Sequence, residues 1–250
     1  MATIAPRVTD RALAERKFYS RMGLFLVVVV LLGFGPSFYL RGIVPPYPRP
    51  NPTLPPSVLM HGTLFTLWML TFVAQTQLIG AGRRDLHMKL GPAAMVLAIV
   101  MVPVMYLTSV WQVARANQSP FTDPLTWTIV PLAVIPPFAA LVWQGWRRRR
   151  EAQWHKRLML AAAITVVMGP GVARLPIAPP TLPGFTFVLL LGFALFVPLL
   201  LWDRRTLGRI HPATRLALLL AAVSVFVPLI VFWTGLDWAA IARRLPGVGA

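Results

Sequence analysis

Seven long apolar blocks divide the 250-residue chain. They cover residues 22–40, 58–80, 88–110, 125–144, 157–175, 184–202 and 215–235. A helix of roughly 20 residues crosses a hydrocarbon core of about 30 Å, so each block is long enough to span a membrane. Only 12% of the residues are charged, about half the usual share in soluble domains. The blocks predict an all-α integral membrane protein, a seven-transmembrane-helix bundle forming one domain over residues 22–235.

The basic residues are distributed unevenly around these blocks. Of the 24 Lys and Arg residues, 18 lie in the N-terminal segment 1–21 and at the turns that join blocks 2 to 3, 4 to 5 and 6 to 7. Short cytoplasmic loops collect positive charge. We therefore expect a multi-pass protein of the bacterial inner membrane, with a cytoplasmic N-terminus and the tail 236–250 outside. Topology and attraction to anionic lipid on the cytoplasmic face then account for the net charge of +17, without nucleic acid.

Several classes of membrane protein are disfavoured by what the sequence lacks. It contains no cysteine, which excludes disulfides, thiolate metal sites and iron–sulfur clusters. The seven acidic residues all lie at or beyond the block edges, whereas pumps and ion-coupled transporters usually need carboxylates inside the membrane. Retinal is excluded as a cofactor because the last block contains no lysine for a Schiff base.

Polar side chains follow one face of the second block. At 100° per residue, His61, Trp68, Thr71 and Gln75 fall on one side of a helix, which we expect to face the bundle interior. Arg174, at the end of the fifth block, has a depth similar to that of His61. A histidine and an arginine there would suit a quinone head, a haem propionate or a lipid phosphate. The alternative is polar packing between helices, with Arg174 extending outward.

Three histidines lie at the basic turns. His87, His155 and His211 precede or open the third, fifth and seventh blocks, so the topology places them at one depth. Neutral imidazole is a ligand of zinc and iron, and Asp203 is the natural fourth ligand, with Asp85 as a substitute. The alternative is that each histidine caps a helix or contacts lipid headgroups. No HxxxH or HExxH pair occurs.

Prolines and their neighbouring glycines are expected to interrupt three of the helices. Pro36 lies within "GFGPS" in the first block, Pro131, Pro136 and Pro137 lie in the fourth, and "GPG" at 169–171 lies in the fifth. Proline removes a backbone donor and disrupts the preceding turn of a helix.

The motifs "HMKLG" and "HKRLML", each of which opens an apolar block, resemble those of a loose group of bacterial multi-helix membrane proteins of unassigned activity. The resemblance covers blocks 2 to 5, and one branch of the group is associated with assembly of haem–copper oxidases. In topology the chain also resembles the seven-helix zinc hydrolases of the alkaline ceramidase and progestin-receptor type, whose HxxxH pair it lacks.

Three functions therefore follow as expectations. The first is a metal-, haem- or quinone-associated protein that serves respiratory or other redox machinery. The second is a zinc-dependent hydrolase of membrane lipids. The third is a non-catalytic helical subunit of a larger membrane protein complex.

Overall fold

A computed structural model describes residues 10–44 and 53–248 of the chain. Within these residues it contains seven helices that are long and apolar enough to cross a membrane, which confirms the predicted all-α, seven-span architecture. We number them as spans 1 to 7. In that order they are Asp10–Tyr39, Pro56–Gly80, Arg84–Arg115, Pro124–Arg147, Ala152–Arg174, Leu182–Leu207 and Pro212–Thr234.

Proline and glycine interrupt several of these spans. The α-helix of span 1 ends at Phe34 and continues as a π-helical segment, Gly35–Tyr39, with Pro36 in its first turn. Span 4 consists of three α-helical pieces, Pro124–Trp127, Ile129–Leu132 and Ile135–Arg147. Span 5 is α-helical over Ala152–Met168 and ends in a 3₁₀ turn, Val172–Arg174. Span 6 contains the 3₁₀ turn Ala194–Phe196 between the α-helices Leu182–Phe193 and Val197–Leu207.

Both ends of the chain contain more helix than the apolar blocks indicate. Span 1 begins at Asp10, twelve residues before the first block, so much of the predicted N-terminal segment 1–21 is helical; residues 1–9 lie outside the described part. The predicted tail 236–250 contains a short helix, Trp238–Ala242, that packs on the start of span 4. Residues 249 and 250 are likewise outside the described part. Charged and polar residues extend span 1 beyond the hydrophobic pattern, and the C-terminal helix is a separate short element.

Large apolar side chains cover the outer surface of the bundle. Leu32, Ile99 and Leu219 are 62%, 66% and 72% exposed, and they come from three different spans. Lipid-facing helices present apolar side chains of this kind, because the hydrocarbon core offers no partners to polar groups.

Span 5 is the centre of the bundle. It contacts spans 1, 4, 6 and 7, and nearly all its residues from Arg157 to Met168 are buried. The neighbouring spans approach its backbone closely at glycines. A Cβ atom at Gly33 would overlap the carbonyl oxygen of Gly171, and one at Gly192 would overlap that of Met168. Small residues at helix contacts let backbones pack tightly where lipid provides no hydrophobic drive for association.

We expect Gly192→Ala to lower the free energy of unfolding by about 1–3 kcal/mol, because the new methyl group forces spans 5 and 6 apart. Gly80→Ala is the matched control, since a Cβ there meets no atom within 4 Å. Thermal unfolding of the purified protein in detergent measures both variants. Equal midpoints for the two variants would contradict the close approach.

Candidate functional site

Most of the predicted site residues lie at one end of the bundle. This end, called the basic end below, contains the starts of spans 1, 3, 5 and 7 and the finishes of spans 2, 4 and 6. The turns between them carry the arginine clusters.

A buried ion pair lies just inside the basic end. Asp203 of span 6 is 0% exposed and Arg157 of span 5 is 1% exposed. The guanidinium donates twice to Asp203 Oδ1, from Nε at 2.9 Å and from Nη2 at 2.6 Å. Asp203 Oδ2 accepts from the Thr214 hydroxyl at 2.6 Å and from the His211 backbone N–H at 3.0 Å. Four donors therefore occupy the carboxylate, about as many as its lone pairs can accept.

The network extends from Arg157 to span 1. Arg157 Nη1 donates to the Gln153 side-chain oxygen at 2.6 Å and to the Gln153 carbonyl at 3.0 Å. The Gln153 amide donates to Glu15 at 3.5 Å, and Glu15 forms an ion pair with Lys156. Polar side chains thus tie spans 1, 5, 6 and 7 together at this end.

His211 caps span 7. Its backbone adopts an extended conformation, and its ring Nδ1 accepts a hydrogen bond of 3.0 Å from the Ala213 N–H. The ring also contacts Trp154, with 5.6 Å between the ring centroids. Partial burial, and then the positive charge of Arg157, lower the pKa of His211. Because Nδ1 must be unprotonated to accept, the neutral ring is the capping form.

His87 and His155 form a pair from two different spans. Their ring centroids are 6.1 Å apart, and the rings are nearly perpendicular. His155 Nδ1 lies 2.9 Å from the carbonyl oxygen of Gly145, so Nδ1 carries the proton and Nε2 has the lone pair. Each residue lies in the first turn of its helix.

Gln75 determines the tautomer of His87. Its amide is satisfied in only one orientation, in which the nitrogen donates to the His87 carbonyl at 3.2 Å and the oxygen accepts from the Gly91 N–H at 3.2 Å. In that orientation the nitrogen also donates to His87 Nδ1. We assign the amide on these bonds. His87 therefore carries its proton on Nε2, and the pair combines one Nε2 donor with one Nε2 acceptor.

The predicted metal ligands are brought together only in part. His87 and His155 are neighbours, whereas His211 lies beside Trp154 and Asp203 is enclosed by its four donors. Among the described residues no three His, Asp or Glu side chains lie where they could hold one metal ion. The physical reason is that Asp203 neutralises Arg157, a partner that the spacing of the histidines does not reveal.

The predicted polar face of span 2 is divided between the two ends. His61 stacks on Phe65 at 4.2 Å near the opposite end and lies within electrostatic range of Arg174. Trp68, which is 2% exposed, packs edge-on against Phe138 in the middle, and Thr71 is half-buried. Gln75 contacts His87 instead of Arg174.

The side chain of Arg174 contacts its own span and span 1. Its Nη1 donates to the Pro170 carbonyl at 2.7 Å, and its guanidinium lies 4.2 Å from the centroid of the Phe34 ring. His61 Nδ1 is buried without a hydrogen-bond partner in the described ranges.

Sequence reasoning missed the role of Arg157. It counted this residue with the positive turn residues, although Arg157 begins the fifth apolar block. An arginine inside an apolar block has to find a carboxylate or leave the membrane. Asp203, at the end of the next block, was the available signal.

No protein-family model, curated protein or solved structure matches the chain.

We expect Asp203→Asn to reduce the free energy of unfolding by about 3–5 kcal/mol, because it leaves the Arg157 charge buried without a counter-charge. The double variant Arg157→Met, Asp203→Leu should recover part of that loss, because it removes the unpaired charge but still leaves the Thr214 hydroxyl and the His211 N–H without their acceptor. Denaturant titration in micelles measures the free energy of unfolding of the wild type and of both variants. The exposed pair Arg83–Asp85 provides the control, and Asp85→Asn should leave the unfolding curve nearly unchanged. A double variant no more stable than Asp203→Asn would contradict the pairing.

We expect acidification to weaken the cap of span 7. Because the pKa of His211 is lower in the folded protein than in the unfolded chain, the unfolded chain binds more protons as the pH falls. This stabilisation is complete above about pH 6.5, the ordinary histidine value, and declines as the pH falls towards the folded-state pKa. His211→Asn retains a capping side chain that does not titrate. Its unfolding midpoint should therefore fall less than the wild-type midpoint between pH 8 and pH 5.

Proposed function

We propose that the protein is a bacterial inner-membrane protein that binds the headgroup of a quinone or quinol at the His87–His155 pair, in the service of redox machinery. The excess of basic residues at the basic end supports a cytoplasmic location for that end and for the N-terminus. The site would then lie at the cytoplasmic border of the membrane.

The main support for this proposal is the complementary protonation of the His87 and His155 rings. Gln75 donates to His87 Nδ1, and His155 Nδ1 donates to Gly145, so His87 Nε2 is a donor and His155 Nε2 is an acceptor. A quinone carbonyl can accept from His87. A quinol hydroxyl can accept from His87 and donate to His155 with the same oxygen. A metal ion would instead require a lone pair on both Nε2 atoms.

The surroundings of the pair suit an aromatic headgroup. Trp146 packs towards Gly91, one turn beyond His87, where a Cβ atom would lie 3.9 Å from the indole. Gly145, whose carbonyl contacts His155, has no side chain, and Met159 and Leu158 pack against it. Ligand sites commonly combine apolar and aromatic walls with a few oriented polar groups.

Binding of ubiquinone-1 to the purified protein in nanodiscs tests the proposal, with tryptophan fluorescence quenching as the signal. Saturable quenching is expected. His87→Ala and His155→Ala should each weaken binding by about five- to tenfold, the value of one hydrogen bond. His61→Ala, which removes a histidine near the opposite end, is the matched control and should bind as the wild type does. Absence of saturation, or an equal loss in all three variants, would refute the site.

A transition metal, zinc or iron, is the second candidate ligand. The bond from His155 Nδ1 to a backbone carbonyl is the arrangement that orients most metal-ligating histidines. Metal binding requires the Gln75 amide to rotate, so that its oxygen accepts a hydrogen bond from His87 Nδ1–H and His87 Nε2 carries the lone pair. Stoichiometric metal that is lost in both His87→Ala and His155→Ala would support it and overturn the quinone proposal.

A further inference from the structure

A groove of about 550 Å³ runs between span 1 and the last helix of span 6, away from the histidine pair. Its walls come from one face of each helix. Lys17, Arg21 and Phe25 recur at intervals of four residues on span 1, and Pro198, Trp202 and Arg205 follow at intervals of four and three on span 6. The groove volume lies within the range of about 300–1,000 Å³ that is usual for small-molecule sites.

The groove changes in character with depth. Span 1 runs away from the basic end and span 6 runs towards it, so Lys17, Arg21 and Arg205 lie near that end. Phe25 and Pro198 lie further into the bundle, about 10–12 Å along the helices from the outermost cations. Phe18 and Trp202 stack with 4.6 Å between their centroids and form part of the lining between the two regions. The groove is therefore basic at its mouth and apolar below.

The positive charge at the mouth has no counter-charge within the described residues. Lys17, Arg21 and Arg205 are exposed, and none of them forms an ion pair or hydrogen bond there. Glu15 pairs with Lys156 and Asp203 with Arg157, and Asp10, two turns before Lys17 on span 1, forms no ion pair with the three cations in the described part of the chain. The described residues that line the groove include no carboxylate.

We propose that this groove is a binding site for one anionic phospholipid, with the phosphate and headgroup between Lys17, Arg21 and Arg205 and an acyl chain along Phe25 and Pro198. Three cations in one place attract a phosphodiester, and basic pockets between membrane helices recognise anionic headgroups in this way. A water-soluble acidic segment would use the cations but not the deeper apolar surface. The whole basic end attracts anionic lipid, and the groove would hold one lipid molecule at a defined position there.

Native mass spectrometry of the detergent-purified protein tests the site, using an equimolar mixture of phosphatidylglycerol and phosphatidylcholine as the probe. The wild type should retain one phosphatidylglycerol in preference to phosphatidylcholine. The triple variant Lys17→Gln, Arg21→Gln, Arg205→Gln should bind phosphatidylglycerol about a hundredfold more weakly, since each basic residue near a membrane surface contributes roughly a factor of five. All three side chains are exposed, so the variant is expected to fold; a gel-filtration profile checks this.

A charge-matched variant distinguishes a site from a general surface effect. Arg84→Gln, Lys89→Gln, Arg209→Gln removes three exposed cations from the same end outside the groove. It should retain phosphatidylglycerol as the wild type does. An equal loss in both triple variants would overturn the site.

The apolar part of the groove needs its own test. Phe25→Ser should also weaken retention of phosphatidylglycerol. Unchanged retention would overturn the lipid assignment in favour of a phosphate group alone. Because the chain contains no cysteine, Phe25→Cys introduces a single thiol. Its efficient oxidation to a disulfide-linked dimer in membranes would show that a second copy fills the groove, and would likewise overturn the proposal.

Discussion

The basic end depends on the neutralisation of Arg157 by Asp203. A charged group in a medium of low dielectric constant has to be paired, because the cost of burying it alone is several kcal/mol. This requirement fixes the relative depth of spans 5 and 6. Asp203 also holds the backbone N–H of His211 and the hydroxyl of Thr214, so the same carboxylate positions the start of span 7. One interaction therefore sets the register of three helices.

The pairing of Asp203 with Arg157 also explains why His211 lies apart from His87 and His155. With both Asp203 oxygens occupied, His211 is left to cap its helix beside Trp154. His87 and His155 remain together near spans 2 and 4, where Gln75 and Gly145 supply their partners. The ion pair thus separates a structural network between spans 1, 5, 6 and 7 from the His87–His155 pair. The groove proposed to bind a phospholipid lies between spans 1 and 6.

The polar residues of span 2 show that side chains on one face of a helix need not belong to one binding site. His61 and Gln75 face the same side of the helix, but they are 14 positions apart, which corresponds to about 21 Å along its axis. The angular pattern was therefore sufficient to predict that both are partly buried in the bundle. It could not place them at one ligand. Gln75 meets His87 because spans 2 and 3 are joined by a short turn at the basic end.

The sequence by itself determined the seven spans, the proline interruptions and the concentration of charge at one end, because each follows from local composition and chain length. The depths of His87, His155 and His211 were predictable for the same reason. Only the tertiary structure decided which of these residues meet. Contact between side chains depends on which helices are neighbours and on how each is rotated, and several packings of seven apolar helices share one hydrophobic pattern. The partnership of Arg157 with Asp203, 46 residues apart, is the clearest case.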